Sequence, residues 1–120
     1  MRCEAVDKLL NGNVPIYVQI MDAVKHSIVS GELKPGDKIM SVREMASHFG
    51  VNPNTIQRAL LELEREGLLA AERAQGRYVA ADENAIENLR KVMAEDAVKR
   101  FKDEMQALGY GRDEIKNFWR

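Results

Sequence analysis

Ile16, Ile20, Val24 and Ile28 recur every four residues after Pro15, so this run reads as a helix with one apolar face, ended by Gly31. Lys34-Pro35-Gly36-Asp37 is a turn signal, and Lys38-Ile39-Met40 is a candidate short strand. Ser41 and Glu44 form a capping-box pattern that starts a second helix; Val42, Met45, Ala46 and Phe49 give its apolar face and Gly50 closes it. Asn52 offers an N-cap and Pro53 a first helical residue for a third helix, which turns Ile56, Ala59, Leu60 and Leu63 to one side before Gly67. Residues 68–72 and 77–81 read as two short strands of a hairpin. Its tip, Ala74-Gln75-Gly76, contains one residue free to take a positive φ, Gly76.

Asp82 caps a second module. Ile86, Leu89, Met93, Ala97, Phe101, Met105 and Leu108 repeat every three or four residues, the mark of an amphipathic helix roughly 35 Å long. Gly109 breaks it, and residues 112–120 read as a short last helix carrying Ile115, Phe118 and Trp119. Residues 1–13 hold only a Val6-Leu9-Leu10 cluster and read as an N-terminal arm. The expected architecture is mainly α with a small β-hairpin: an arm (1–13), a helical domain with a hairpin (14–81) and a two-helix tail (82–120).

Composition narrows the classes. No apolar run approaches the roughly 20 residues of a membrane helix, and the N-terminus lacks the pattern of a signal peptide, so a cytoplasmic protein is expected. Cys3 is the single cysteine, and His26 and His48 lie on different helices without acidic neighbours in ligand spacing, so no metal or other cofactor is expected. No phosphate-cradling glycine loop and no nucleophile–base pairing argue for an enzyme. The net charge of −1 argues against coating nucleic acid non-specifically, yet leaves a local reading face open.

Such a face is drawn by residues 41–69. Two helices around a glycine turn form a helix-turn-helix, whose second helix enters the major groove with its N-terminal residues at base edges. Asn54, Thr55, Gln57 and Arg58 carry suitable groups: Asn and Gln pair with adenine, Arg with guanine, and the Thr methyl meets the thymine methyl. The bland alternative is that Asn52 only caps and the polar face is only solvated. The hairpin directly after the motif favours the functional reading, since that layout is a winged helix. Arg73, Gln75, Gly76 and Arg77 put two cations beside a glycine at the wing, suited to a phosphate strand or a narrow minor groove.

At this point the string SVREMASHFGVNPNTIQRALLELEREGLL, followed by QGRYV, resembles the winged-helix domain of the GntR family of bacterial transcription regulators. PIYVQIMDAVKHSIVSGELKPGDKIMS is similar to the family's first helix and turn, and the Val51–Thr55 spelling and short tail resemble the YtrA-type subfamily. The resemblance implies DNA contacts from Arg43, Asn54, Thr55 and Arg58, from Gly76 and its neighbours, and from the Tyr17 hydroxyl to a phosphate. It also implies a repressor, often of a transporter operon. One departure stands out: relatives usually have glycine where this chain has Ala74, and threonine where it has Arg77.

A thin winged domain cannot bury the whole tail stripe. Ile86, Leu89, Met93, Phe101, Met105 and Leu108, with Phe118 and Trp119 folding back, are therefore expected to pair with a second copy. The rival is packing within one chain. A two-fold homodimer implies an inverted-repeat operator in double-stranded DNA. A small-molecule effector is left unknown, and the rival function is a winged-helix module that binds protein instead of DNA.

Overall fold

The computed structural model describes residues 14–119; the expected arm over 1–13 and Arg120 lie outside the described residues. Elements run in the order α1 (Ile16–Val29), α2 (Val42–Phe49), α3 (Pro53–Arg65), β1 (Leu69–Glu72), β2 (Gly76–Val79), α4 (Glu83–Ala107) and α5 (Arg112–Ile115), which continues as a 3₁₀ turn over Lys116–Phe118. The chain divides into two compact units, one ending at Glu87 and the other beginning at Asn88.

In the first unit, local chemistry sets the helix ends. The Ser41 hydroxyl accepts from the Glu44 N–H at 3.1 Å, while the Glu44 carboxylate accepts from the Ser41 N–H at 3.0 Å, so two orphan donors of α2 are satisfied reciprocally. Hydrogen bonding from Ser41 to the ionised carboxylate holds the Glu44 carboxyl below the usual carboxylate range, with the Ser41 backbone N–H the largest cause and the Ser41 side chain the next. Asn52 Oδ1 accepts from the Asn54 N–H at 2.7 Å, and Pro53 opens α3 where no N–H is needed. At the other end, Gly67 has φ 79°, and the Gly67 and Leu68 N–H groups return to the Glu64 and Leu63 carbonyls. That is a Schellman stop, and it delivers the chain into β1.

The core follows from the faces so oriented. α1 packs against α3, α2 against α3, and α3 against β1. Ile20, Val24 and Ile28 meet Met45, Ile56, Ala59, Leu60 and Leu63 in the buried set, closed by Leu69 and Val79 of the hairpin. α3 is thus the central element. Ile16, expected on the buried face of α1, is 37% exposed because it belongs to the first turn, ahead of the packed face. The buried polar Gln19 donates from Nε2 to the Val14 carbonyl at 2.8 Å and so holds the entry to α1.

Lys38-Ile39-Met40 does not form a strand: Lys38 and Tyr78 make a single antiparallel bridge. The segment nonetheless runs beside β2, with the Ile39 N–H donating to the Arg77 carbonyl and the Val79 N–H to the Asp37 carbonyl. It ends early because Ser41 already serves as the cap of α2. The hairpin strands are each one residue shorter than expected, β2 beginning one residue earlier and ending two earlier, and they pair Leu69 with Val79 and Glu72 with Gly76. A further correction concerns the tip. Gly76 has φ 84°, but Ala74 also has a positive φ, 66°. The Gln75 N–H donates to the Glu72 carbonyl, so Ala74 is the third residue of a tight turn, the position that requires positive φ in a type II turn.

In the α4 region, Asp82 caps through the Ala85 N–H at 2.8 Å. Ile86 is buried and belongs to the first unit. Within the second unit, Leu89, Met93 and Met105 are half-buried, while Phe101 and Leu108 are exposed. Gly109, at φ 97°, ends α4. The last segment is less regular than expected, four α-helical residues and one 3₁₀ turn, with Trp119 extended. Ile115 is buried, and two edge-to-face pairs dress the unit: Phe101 with Trp119 at 5.5 Å and Tyr110 with Phe118 at 4.9 Å.

Candidate nucleic-acid interface

The front of α3 is split lengthwise by burial. Ile56, Ala59 and Leu60 face the core, which sends Asn54, Gln57 and Arg58 to solvent. These three stand at i, i+3 and i+4, so they share one face over the first two turns. Thr55 is half-buried beside them. The first turn of the helix has no acidic residue, so no carboxylate of its own offsets the positive end of its dipole. Arg43, in the first turn of α2, is exposed as well.

Arg58 does not extend freely. Its guanidinium carbon lies 3.9 Å from the centroid of the Tyr17 ring, a cation–π stack between α3 and the first turn of α1. Sequence reading chose both residues for DNA but did not join them, since a contact across 41 positions leaves no mark in local spacing.

The two arginines of the hairpin part company. Arg73 and Gln75 are exposed at the tip. Arg77 points the other way: its Nε is 3.2 Å from Glu64 Oε1 on α3, with the side chains only 15% and 22% exposed. Alternation explains it. Val79 faces the core, so Arg77, two residues earlier on β2, lies on the same face and leans over α3. The alternation is legible in the sequence, where Arg77 stands two residues before Val79. Lys38, read from the sequence only as part of a short strand, has its Cε 3.7 Å from where a Cβ at Gly76 would stand, so a lysine stem runs alongside the wing.

Among the described residues, no group of three or more His, Cys, Asp or Glu could hold a metal ion, and no helix is long and apolar enough to cross a membrane. Two helices packed on α3, the capped start of α3 itself and a two-stranded wing define a winged helix-turn-helix protein. The profile of the bacterial regulatory proteins of the gntR family matches residues 16–79, more than half of the chain. The chain belongs to the GntR family. The HTH-type regulator YhcF of Bacillus subtilis is 38% identical over 110 residues, 92% of this chain and 91% of its own. The HTH-type transcriptional repressor YtrA of the same organism is 38% identical over 96 residues, 80% of this chain and 69% of its own. A GntR-family regulator from Listeria monocytogenes has a similar structure, with a TM-score of 0.81 at 38% identity over 91% of this chain and 96% of that one. The AraR DNA-binding domain, solved with its operator ORX1, matches with a TM-score of 0.57 at 31% identity, over 60% of this chain and 93% of that one.

Proposed function

We propose that this chain is a sequence-specific DNA-binding repressor of transcription that acts as a homodimer on an inverted-repeat operator, without catalytic activity and in the cytoplasm. The observation that carries the reading is the front of α3, where Asn54, Gln57 and Arg58 stand exposed together on a helix whose opposite face is locked into the core. Those three types match the donor and acceptor patterns of adenine and guanine in the major groove. Arg43 and Arg73 add exposed cations for phosphates. A protein-binding winged helix would need an acidic or apolar face there instead. Relatives named as repressors, and the AraR domain solved with an operator, support the same reading.

In this reading residues 14–81 are the reading domain and 82–120 the dimerisation tail. Support for the dimer comes from large apolar side chains left open on the second unit. Leu108 is 72% exposed, Phe118 57% and Trp119 56%, with Val92 and Val98 also uncovered. A second copy would bury these side chains through a two-fold contact.

The test is selection of bound sites from a random duplex library at roughly physiological salt, with sedimentation of the free protein at micromolar concentration. The expected results are an enriched inverted repeat and a dimer. Weak salt-sensitive binding with no enriched sequence would overturn specific readout, and a monomer would overturn the tail assignment.

A further inference from the structure

We infer that Tyr17 is the platform that sets the base preference of Arg58, acting through its ring and not through its hydroxyl. The inference rests on the reading of α3 as the DNA-reading helix and assigns Tyr17 a task within it.

The geometry carries this. Arg58 reaches its stacking distance of 3.9 Å from a helix held on both sides of it, since Ile56 and Ala59 are fully buried. Tyr17 is half-buried in the first turn of α1, whose following face, Ile20, Val24 and Ile28, is locked against the same core. Both ends of the contact therefore have fixed backbones. An arginine side chain is long and rotamer-rich, so a free Arg58 would lose that freedom each time it met a base. Stacked on the ring, the guanidinium has already lost it. A guanidinium carbon 3.9 Å above the ring suits a face-on stack, which would leave the N–H groups along the guanidinium edge for bidentate pairing with guanine O6 and N7. A platform of this kind strengthens preference at one base pair in each half-site. A hydroxyl–phosphate contact would instead strengthen binding to every sequence alike.

The experiment uses the full chain and the enriched operator. Affinities are measured for that operator and for all single-base variants of one half-site, with the wild type, Tyr17→Phe, Tyr17→Leu, Arg58→Ala and the Tyr17→Leu/Arg58→Ala double variant. Tyr17→Phe should keep the wild-type preference profile. Tyr17→Leu should reduce preference roughly 3- to 10-fold at the same base pair that Arg58→Ala relaxes, as expected for loss of one cation–π contact. The double variant should lose no more preference than Arg58→Ala alone. NMR of the free protein gives a readout that needs no DNA: the Arg58 side-chain signals should be ring-shifted in the wild type and Tyr17→Phe, and unshifted in Tyr17→Leu.

A uniform fall in affinity for all sequences in both Tyr17 variants would overturn the platform in favour of the hydroxyl. Additive losses in the double variant would overturn it too. Should Arg58→Ala relax no base pair while the operator is still selected, the base contact of Arg58 fails and the platform with it. Failure of the broader reading is separate, because then no operator is enriched at all.

Discussion

Replacing Ala74 with glycine should stabilise the protein, although it removes a methyl group and adds flexibility to the unfolded chain. Ala74 holds φ 66° at the tip of the wing, where an L-residue with a Cβ pays about 1–2 kcal/mol. Glycine adopts this conformation freely but raises the entropy of the unfolded chain, at a cost of about 0.4–1 kcal/mol. The exposed methyl contributes little packing, so the balance is a gain of about 0.5–1 kcal/mol. The wing shares in global stability because Leu69 and Val79, at its base, are core residues. Urea unfolding followed by circular dichroism should therefore show a higher midpoint with an unchanged slope. Ala74→Val, with a branched Cβ at the same φ, should shift the midpoint down. A lower midpoint for Ala74→Gly together with an unaffected Ala74→Val would refute the positive φ, and with it the account of the turn.

Glu64→Gln should cost about 0.5–1 kcal/mol in the same assay, because it removes the charge that faces the half-buried Arg77; no change would mean that the pair does not aim the wing. The depressed Glu44 carboxyl contributes stability that is complete above its ordinary, unfolded-state range and is lost as pH falls through the lower folded value. Glu44→Gln should accordingly flatten the acid limb of stability against pH below about 4, and an acid limb identical to the wild type would contradict the capping box. Phe101→Glu should convert the proposed dimer to monomer in sedimentation while the thermal stability of the winged domain stays within about 0.5 kcal/mol. A dimer that survives would show that Phe101 lies outside the contact.

The parts legible in the sequence were those decided within a turn or two of the chain. Ser41 with Glu44, Asn52 with Pro53, and Gly50 and Gly67 each act on backbone groups at most four residues away, and each stands where local rules put it. The apolar faces of α1 and α3 were equally plain, since period alone identifies them. What escaped was set elsewhere. Ala74 is not a residue that announces a turn, so its φ was imposed by the register of β1 and β2. The Arg77–Glu64 and Arg58–Tyr17 contacts arise only after α3 has docked on the hairpin and on α1. The tail was legible in period and less so in burial: the stripe from Leu89 to Leu108 reports an apolar face and is silent on what covers it.

The division of labour along α3 bears on how such a protein can change what it recognises. The contacts that anchor the helix to its neighbours through charge, Glu64 with Arg77 and Glu66 with Lys25, sit in its last turn and cap. Asn54 and Gln57, in the first turns, project from an exposed face. In the proposed reading, new letters at those two positions leave the fold's supports untouched, so base preference there would drift by single steps through stable intermediates. Arg58 is different. Its exchange also strips the Tyr17 ring of its cation, so this one position changes alphabet only together with a residue on another helix.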